Sequence, residues 1–257
     1  MQSQAYAKIN AFLKITGSRG FYHEMISRFI KLPQLYDTLT FSPKRESKHF
    51  ILEGNFNCLT EQNTIYKAYK ELLKASDKNK IENFFKVHKI SVDKKIPSFA
   101  GLGGGSSDAA TFLNMCNEHI DLKLDEETLA AIGGRVGADV PFFIYNYPVA
   151  NVSGIGELIA PFEDEGLNFS TFTPDIACDT VAVFKAYREN FYNPISAKEK
   201  RFFSTLKTSE ALDLYDASHA NDLFNAAKSI YPDLASYEQA NRFFSGSGST
   251  FFSLEGK

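Results

Sequence analysis

Tryptophan is absent from this chain of 257 residues, and cysteine occurs only three times. Cys58, Cys116 and Cys178 are far apart, which excludes a paired zinc-finger spacing and gives no disulfide framework, so reduced cytosolic thiols are expected. Charge of one sign is also missing. Lys and Arg total 28 against 31 for Asp and Glu, a formal net charge of -3, so no field favours a polyanion and no nucleic acid is expected as a partner. Long apolar runs are lacking too. Val140–Tyr145 is far shorter than the roughly 20 residues a membrane span needs. Lys8, Lys14 and Arg19 interrupt the N-terminal stretch, which has no signal-peptide core. A soluble cytoplasmic protein with no membrane partner is the expectation. What is abundant is phenylalanine, 24 residues within a 44% hydrophobic composition, enough for a Phe-based core. The length suits one large domain or two modest ones.

Residues Ala5–Ile15 alternate, with Ala7, Ile9, Ala11, Leu13 and Ile15 on one face and Tyr6, Lys8, Asn10, Phe12 and Lys14 on the other. That period predicts a strand with one buried face, ending at Gly17-Ser18-Arg19-Gly20. Between strand-like Thr38–Phe41 and Phe50–Leu52, the basic run Lys44–His49 reads as a solvated hairpin loop. Ile65, Ala68, Tyr69 and Leu72 repeat at helical spacing after a capping Asn63, predicting a helix over Thr64–Lys74. A strand over Lys89–Ile96 follows. Beyond a glycine loop, Ala109, Phe112, Leu113, Cys116 and Ile120 mark a helix face, with Ser106 or Ser107 as cap and Asp108 in the first turn. A further helix spans Glu126–Ile132 and stops at Gly133-Gly134. After Tyr147-Pro148, strands are expected at Ile155–Ala160 and Val181–Phe184, and helices at Asp222–Ser229 and Asp233–Asn241. The whole is α+β, with domains expected at 1–150 and 151–257.

The strongest chemical signal is Pro97-Ser98-Phe99-Ala100-Gly101-Leu102-Gly103-Gly104-Gly105-Ser106-Ser107-Asp108, lying between a strand and a helix. Glycines let backbone amides approach a ligand, and the helix start offers unpaired N–H groups and a positive dipole end. Pro97, Gly101, Leu102, Gly103, Gly104, Gly105, Ser106 and Ser107 therefore form a candidate phosphate cradle. It is not a P-loop, which needs a lysine at its end, nor a dinucleotide fingerprint, whose third glycine is replaced by Ser106.

Two other places carry candidate chemistry. Asp139 stands between a Gly-rich helix end and an apolar run, where desolvation would suit proton acceptance; a turn-forming aspartate before Val140-Pro141 is the equal alternative. Lys8 and Asn10 are two apart on a strand and share a face, which in isolation reads as a solvated face.

At the glycine loop the sequence resembles the GHMP kinases, with their Pro-x-x-x-Gly-Leu-Gly/Ala-Gly/Ser-Ser-Ser segment. Ala7-Lys8-Ile9-Asn10-Ala11-Phe12-Leu13, Tyr22-His23 and Gly137-Ala138-Asp139-Val140-Pro141-Phe142-Phe143 resemble the branch that acts on a cytidine diphosphate conjugate of methylerythritol. Gly246-Ser247-Gly248-Ser249 resembles the superfamily's third motif. The resemblance implies a two-domain α+β GHMP kinase fold, with a ribosomal S5 domain 2-like N-terminal domain and a ferredoxin-like C-terminal domain. It implies transfer of a phosphoryl group from ATP, with Mg2+, to the 2-hydroxyl of 4-diphosphocytidyl-2-C-methyl-D-erythritol, a step of the non-mevalonate isoprenoid route. Asp139 is then the base, and Lys8 and Asn10 assist catalysis. Tyr22, His23, Thr180 and Phe184 become substrate-binding residues, the first two and Phe184 around the cytosine. No metal ligand of the protein is implied. One departure stands out: the family has Asp-Gly-Tyr-His where this chain has Gly20-Phe21-Tyr22-His23, which puts the path of Tyr22 in question. The nearest alternatives are a GHMP kinase for mevalonate, homoserine or a sugar, and a nucleotide-binding sensor without catalysis.

Overall fold

A computed structural model describes residues 1–256. In chain order the first half forms β1 (Gln2–Arg19), β2 (Tyr22–Pro43), β3 (Leu52–Gly54), α1 (Thr64–Ala75), α2 (Lys78–Val87) and β4 (His88–Asp93). Then come α3 (Gly104–Ile120), α4 (Glu126–Gly134), α5 (Val140–Tyr145), β5 (Val149–Gly154), β6 (Leu158–Pro161) and β7 (Phe169–Phe172). The chain closes with α6 (Thr180–Asn190), α7 (Ala197–Thr205), α8 (Thr208–Leu214), α9 (Ala217–Ala220), α10 (Phe224–Ile230), β8 (Phe243–Phe244) and β9 (Phe251–Leu254). No helix among the described residues is long and apolar enough to cross a membrane.

The chain divides into two compact units, both assembled from separate segments. The first comprises Met1–Ala7, Pro33–Ile96 and Gly103–Asn146. Its sheet runs β3-β4-β2, with β3 parallel to β4 and β2 antiparallel to it from Thr38↔Asp93 to Pro43↔His88. β4 thus separates β2 from β3, and the mostly exposed Lys44–His49 run is not a hairpin loop. A parallel β3–β4 pair needs a crossover, and α1 with α2 supplies it. α1 buries Ile65, Ala68 and Leu72, and Asn63 Oδ1 accepts from Ile65 N at 2.9 Å, as the spacing predicts. Phenylalanine fills the place tryptophan leaves: Phe50 stacks on Tyr69 at 4.1 Å, and Phe41, Phe85 and Phe112 meet between 5.5 and 6.1 Å. A Cβ on Gly133 would lie 2.7 Å from Val140 Cγ1, so glycine there lets α4 end close against α5.

The second unit comprises Lys8–Leu32, Pro97–Leu102 and the chain from Tyr147 onward. β1 pairs with β2; β2 also pairs with β5 in antiparallel register from Met25↔Gly154 to Ile30↔Val149, and β5 with β6. A small sheet, β7-β9-β8, stands apart from these strands. Three expectations are corrected. Ile155–Ala160 is not one strand: Gly154 and Gly156 have positive φ, and residues 155–157 turn between β5 and β6. Val181–Phe184 is helical, because Asp179 caps α6 through Ala182 N at 2.7 Å and Val183, Ala186 and Tyr187 are buried at helical spacing. That amphipathic period overrides the β-branched residues. Asp233–Asn241 gives only a 3-10 turn, Pro232–Tyr237, with Leu234 its buried residue. The other helix, α10, begins at Phe224.

Candidate active site

β1 departs most from its expected form. Lys8, Asn10 and Phe12 on its supposed outer face are 3%, 2% and 1% exposed, so both faces are covered there. Burying an ammonium and an amide requires partners. Lys8 Nζ donates to Asn10 Oδ1 at 2.6 Å and to the Gly101 carbonyl at 2.9 Å, and lies 4.6 Å from the centre of the Phe29 ring. Asn10 Nδ2 donates to Ser27 Oγ at 2.9 Å, and Asn10 N donates to Ser245 Oγ at 3.1 Å. The Ser245 hydroxyl in turn donates to the Gly101 carbonyl at 3.0 Å. Asn221, buried, donates to the carbonyls of Phe244 and Gly246 at 2.8 and 2.9 Å and so braces the Ser245–Ser249 loop.

The glycine loop changes direction at Gly101 and Gly103, with φ of 72° and 71°. α3 starts at Gly104 on an uncapped Gly103, so Ser106 and Ser107 lie inside the helix and neither caps it. Ser107 N closes the first helical bond on the Gly103 carbonyl at 2.9 Å. The preceding amides stay outside the intrahelical ladder, which suits an anion at this end. Pro97 and Gly105 are exposed, whereas Leu102 is buried and its carbonyl accepts from Lys8 N at 3.0 Å.

An ion triad flanks the loop. Asp37 Oδ1 accepts from the amides of Lys95 and Ile96 at 2.5 and 2.8 Å, while Lys94 Nζ donates to Asp37 Oδ2 and, at 2.7 Å, to Asp108 Oδ2. Asp108 Oδ1 is buried with no hydrogen-bond partner. One ammonium cannot neutralise two buried carboxylates. Burial, opposed by Lys94 and reinforced by Asp37, pushes Asp108 up to about 7.

Asp139 takes the N-cap position of α5 without capping it through its side chain, and it is half-buried. A Cβ on Gly137 would stand 3.8 Å from Ser106 Oγ. The turn that carries Asp139 therefore lies beside the first turn of α3.

His23, 6% exposed, stacks on Phe184 at 5.4 Å with an interplanar angle of 23°. Tyr187 meets the imidazole edge-on at 5.5 Å, and Tyr192 at 5.9 Å. His23 Nε2 is buried without a hydrogen-bond partner. Phe184 projects from a helix rather than a strand and contacts His23 directly, so a base between the two rings would have to part them. Tyr22 is 65% exposed, and Phe21 89%. Gly20 takes the left-handed conformation (φ 61°) and Phe21 does not, so the turn accepts a side chain at 21 that points to solvent. Thr180 shares a 2.8 Å hydrogen bond with Ser247, linking the first turn of α6 to the C-terminal glycine loop. Sequence reasoning missed the Asp37–Lys94–Asp108 triad, Ser245 as a backbone bridge, and Asn221. Only Lys94 beside the loop and the repeated Ser-Gly pattern offered a signal.

Residues 63–147 match the family model described as the GHMP kinases N terminal domain. A 4-diphosphocytidyl-2-C-methyl-D-erythritol kinase of Sulfurimonas denitrificans is 51% identical over 99% of this chain and 97% of its own length. The protein of the same name from Sulfurovum is 45% identical over 98% of both chains. Among solved structures, a crystal structure of 4-(cytidine 5'-diphospho)-2C-methyl-D-erythritol kinase matches with a TM-score of 0.75 and 28% identity, over 99% of this chain and 90% of that one. Methanococcus jannaschii mevalonate kinase, at 14% identity and a TM-score of 0.60, shares the fold. By the extent and identity of these matches, the chain belongs to the 4-diphosphocytidyl-2-C-methyl-D-erythritol kinase family of the GHMP kinases.

Proposed function

We propose that this chain transfers the γ-phosphoryl group of ATP to the 2-hydroxyl of 4-diphosphocytidyl-2-C-methyl-D-erythritol. The observation that carries the reading is the 51% identity along 99% of the chain to a kinase of that name. The residue roles are those the family resemblance implies, and each suits the chemistry of its position. Gly101–Ser107 receives the phosphates on backbone amides at the start of α3. Asp139, at the N-terminal end of α5, takes the proton of the attacking hydroxyl. Lys8, fixed by Asn10 and the Gly101 carbonyl, stabilises negative charge on the migrating phosphoryl group. His23 and Phe184 receive the cytosine, with Thr180 at the start of the same helix and Tyr22 beside His23 at the rim. Such a remote anchor positions a distant hydroxyl for attack.

Mg2+ accompanies ATP in phosphoryl transfer and neutralises phosphate charge when bound. Asp108 is a poor ligand for it, since its carboxylate already faces the Lys94 ammonium, and the metal would be held by the nucleotide's own oxygens. The division into a nucleotide-binding segment 1–150 and a C-terminal domain 151–257, and a cytoplasmic location, belong to the same proposal.

A coupled ADP-release assay tests the reading against a panel of the cytidyl conjugate, methylerythritol phosphate, mevalonate, homoserine and galactose. Turnover of the cytidyl conjugate alone is expected. Preference for any other acceptor, or ATP binding with no turnover, would overturn it.

A further inference from the structure

The turn before His23 is held from α6. Arg188, one turn beyond Phe184, donates from Nη2 to the carbonyl of Phe21. The same helix therefore supplies the ring stacked on His23 and the cation that fixes the backbone two residues before it. We infer that Arg188 is a positioning and specificity-determining residue for the base site: its hydrogen bond to the Phe21 carbonyl pins the Gly20–Phe21 turn that carries His23 and puts a guanidinium at that turn. The inference rests on the reading of His23 as a base contact.

The reason this matters lies in the hydrogen-bonding of the ring. A neutral imidazole has one donor and one acceptor nitrogen, whereas the protonated ring donates from both. A neutral ring oriented to accept from the cytosine amino group faces an oxygen when uracil binds, and two acceptors repel. A protonated ring loses that distinction, because it donates to cytosine N3 or uracil O4 alike. His23 Nε2, buried and unpartnered, is the atom whose role would change. Leaving such a group unsatisfied by the wrong base is what makes hydrogen-bonded sites selective.

The surroundings of His23 support a neutral ring. Phe184 covers one face, the Tyr187 ring makes an edge-type contact at 5.5 Å and the Tyr192 ring lies tilted at 5.9 Å. Burial pushes the Tyr187 hydroxyl up to about 12, so it brings no charge near neutral pH. Glu24, next along β2, is paired with Arg19 at 3.1 Å. Burial lowers the proton affinity of His23 first, and Arg188 lowers it further.

The experiment compares kcat/KM for cytidyl and uridyl conjugates at about pH 8 and about pH 6, on either side of an unperturbed histidine. It uses the full-length parent, R188Q, R188K and H23A, and follows the His23 imidazole by NMR titration. The parent should hold its cytidyl preference at both pH values. R188Q should lose part of it at the lower pH, with the imidazole midpoint moved upward. R188K, which keeps the charge, should behave like the parent. If R188Q keeps the parental preference and midpoint while H23A loses selectivity, the role of Arg188 is overturned and the base site stands. If H23A keeps full selectivity at both pH values, the base reading fails instead, and the specificity role of Arg188 falls with it.

Discussion

The Ser245 hydroxyl donates to the Gly101 carbonyl at 3.0 Å, while the Ser245 carbonyl oxygen lies 2.0 Å from where a Cβ on Gly101 would stand. Two glycine-containing loops, distant in sequence, thus touch backbone to backbone, and Lys8 donates to the same Gly101 carbonyl. Only glycine meets both requirements at 101, the left-handed φ of 72° and the absent side chain.

Gly101→Ala should therefore destabilise the fold by more than about 1 kcal/mol and weaken ATP binding at least about tenfold, since the new methyl group must displace backbone. Thermal melts and nucleotide titration read both effects. A variant with parental melting temperature and affinity would mean that this contact does not shape the loop. Gly104 makes a different test. A Cβ there meets Ile96 Cγ2 at 2.9 Å, so Gly104→Val perturbs packing beneath the helix before it reaches any phosphate.

Asp139→Asn keeps the size of the side chain and removes the proposed base. Turnover should fall by ~10²–10⁴-fold with ATP affinity nearly unchanged. Circular dichroism checks that the variant is folded before turnover is compared. Near-normal turnover would remove Asp139 from the mechanism.

Asp108 gives a pH prediction. Its unfolded carboxyl titrates near about 4, and in the fold burial raises it to about 7. The folded state then binds the proton more tightly. The stabilising contribution is complete below about pH 4 and is lost as pH rises through about 7. Asp108→Asn, which cannot ionise, should be more stable than the parent at about pH 8, and the gap should close as pH falls towards about 4. Melting curves across that range decide it. A difference that does not vary with pH would show that Asp108 stays ionised beside Lys94.

Much of this was legible in the sequence because local rules decide it. The strand–glycine–helix order around Gly101–Asp108, the Asn63 cap and the apolar period of α1 all rest on neighbours a few residues away. The failures share a cause in tertiary context. The outer face of β1 read as solvated, yet Ser27, Phe29 and Ser245, remote in sequence, cover Lys8 and Asn10. Val181–Phe184 read as a strand from its β-branched residues, although a cap at Asp179 and burial of Val183 and Tyr187 make it a helix. Arg28 gave no signal at all. It is fully buried, lies 3.4 Å from the Phe162 ring centre, and donates to Asn151 Oδ1 at 2.7 Å, Asp164 at 3.3 Å and the Leu206 carbonyl at 3.1 Å.

That arginine should dominate stability in its part of the chain. Arg28→Met leaves the buried Asp164 carboxylate without its cation, a loss of about 3–5 kcal/mol. Adding Asp164→Leu should restore part of it, because the orphaned charge is then gone. Denaturant melts of the single and double variants test this. An Arg28→Met protein as stable as the parent would show that the ion pair contributes nothing net.

The last prediction concerns Phe184 and the base. In the fold its ring lies directly on His23, 5.4 Å between centres, and that spacing leaves no room for a third ring between them. A cytosine entering this site must part the two rings or stack on the open face of Phe184. Both routes require its aromatic surface for the bound state. Phe184→Ala should then raise KM for the cytidyl conjugate by a factor matching ~1–3 kcal/mol, the value of one base–aromatic stack, with KM for ATP unaltered. Phe184→Tyr, which keeps the ring, should recover most of the loss. Because Phe184 is only partly buried and Val183 and Tyr187 anchor α6, truncation at 184 should leave the helix intact. Circular dichroism checks that before kinetics are compared. An intact Phe184→Ala protein with parental KM for the cytidyl conjugate would place the base elsewhere, and His23 would lose its assigned partner with it.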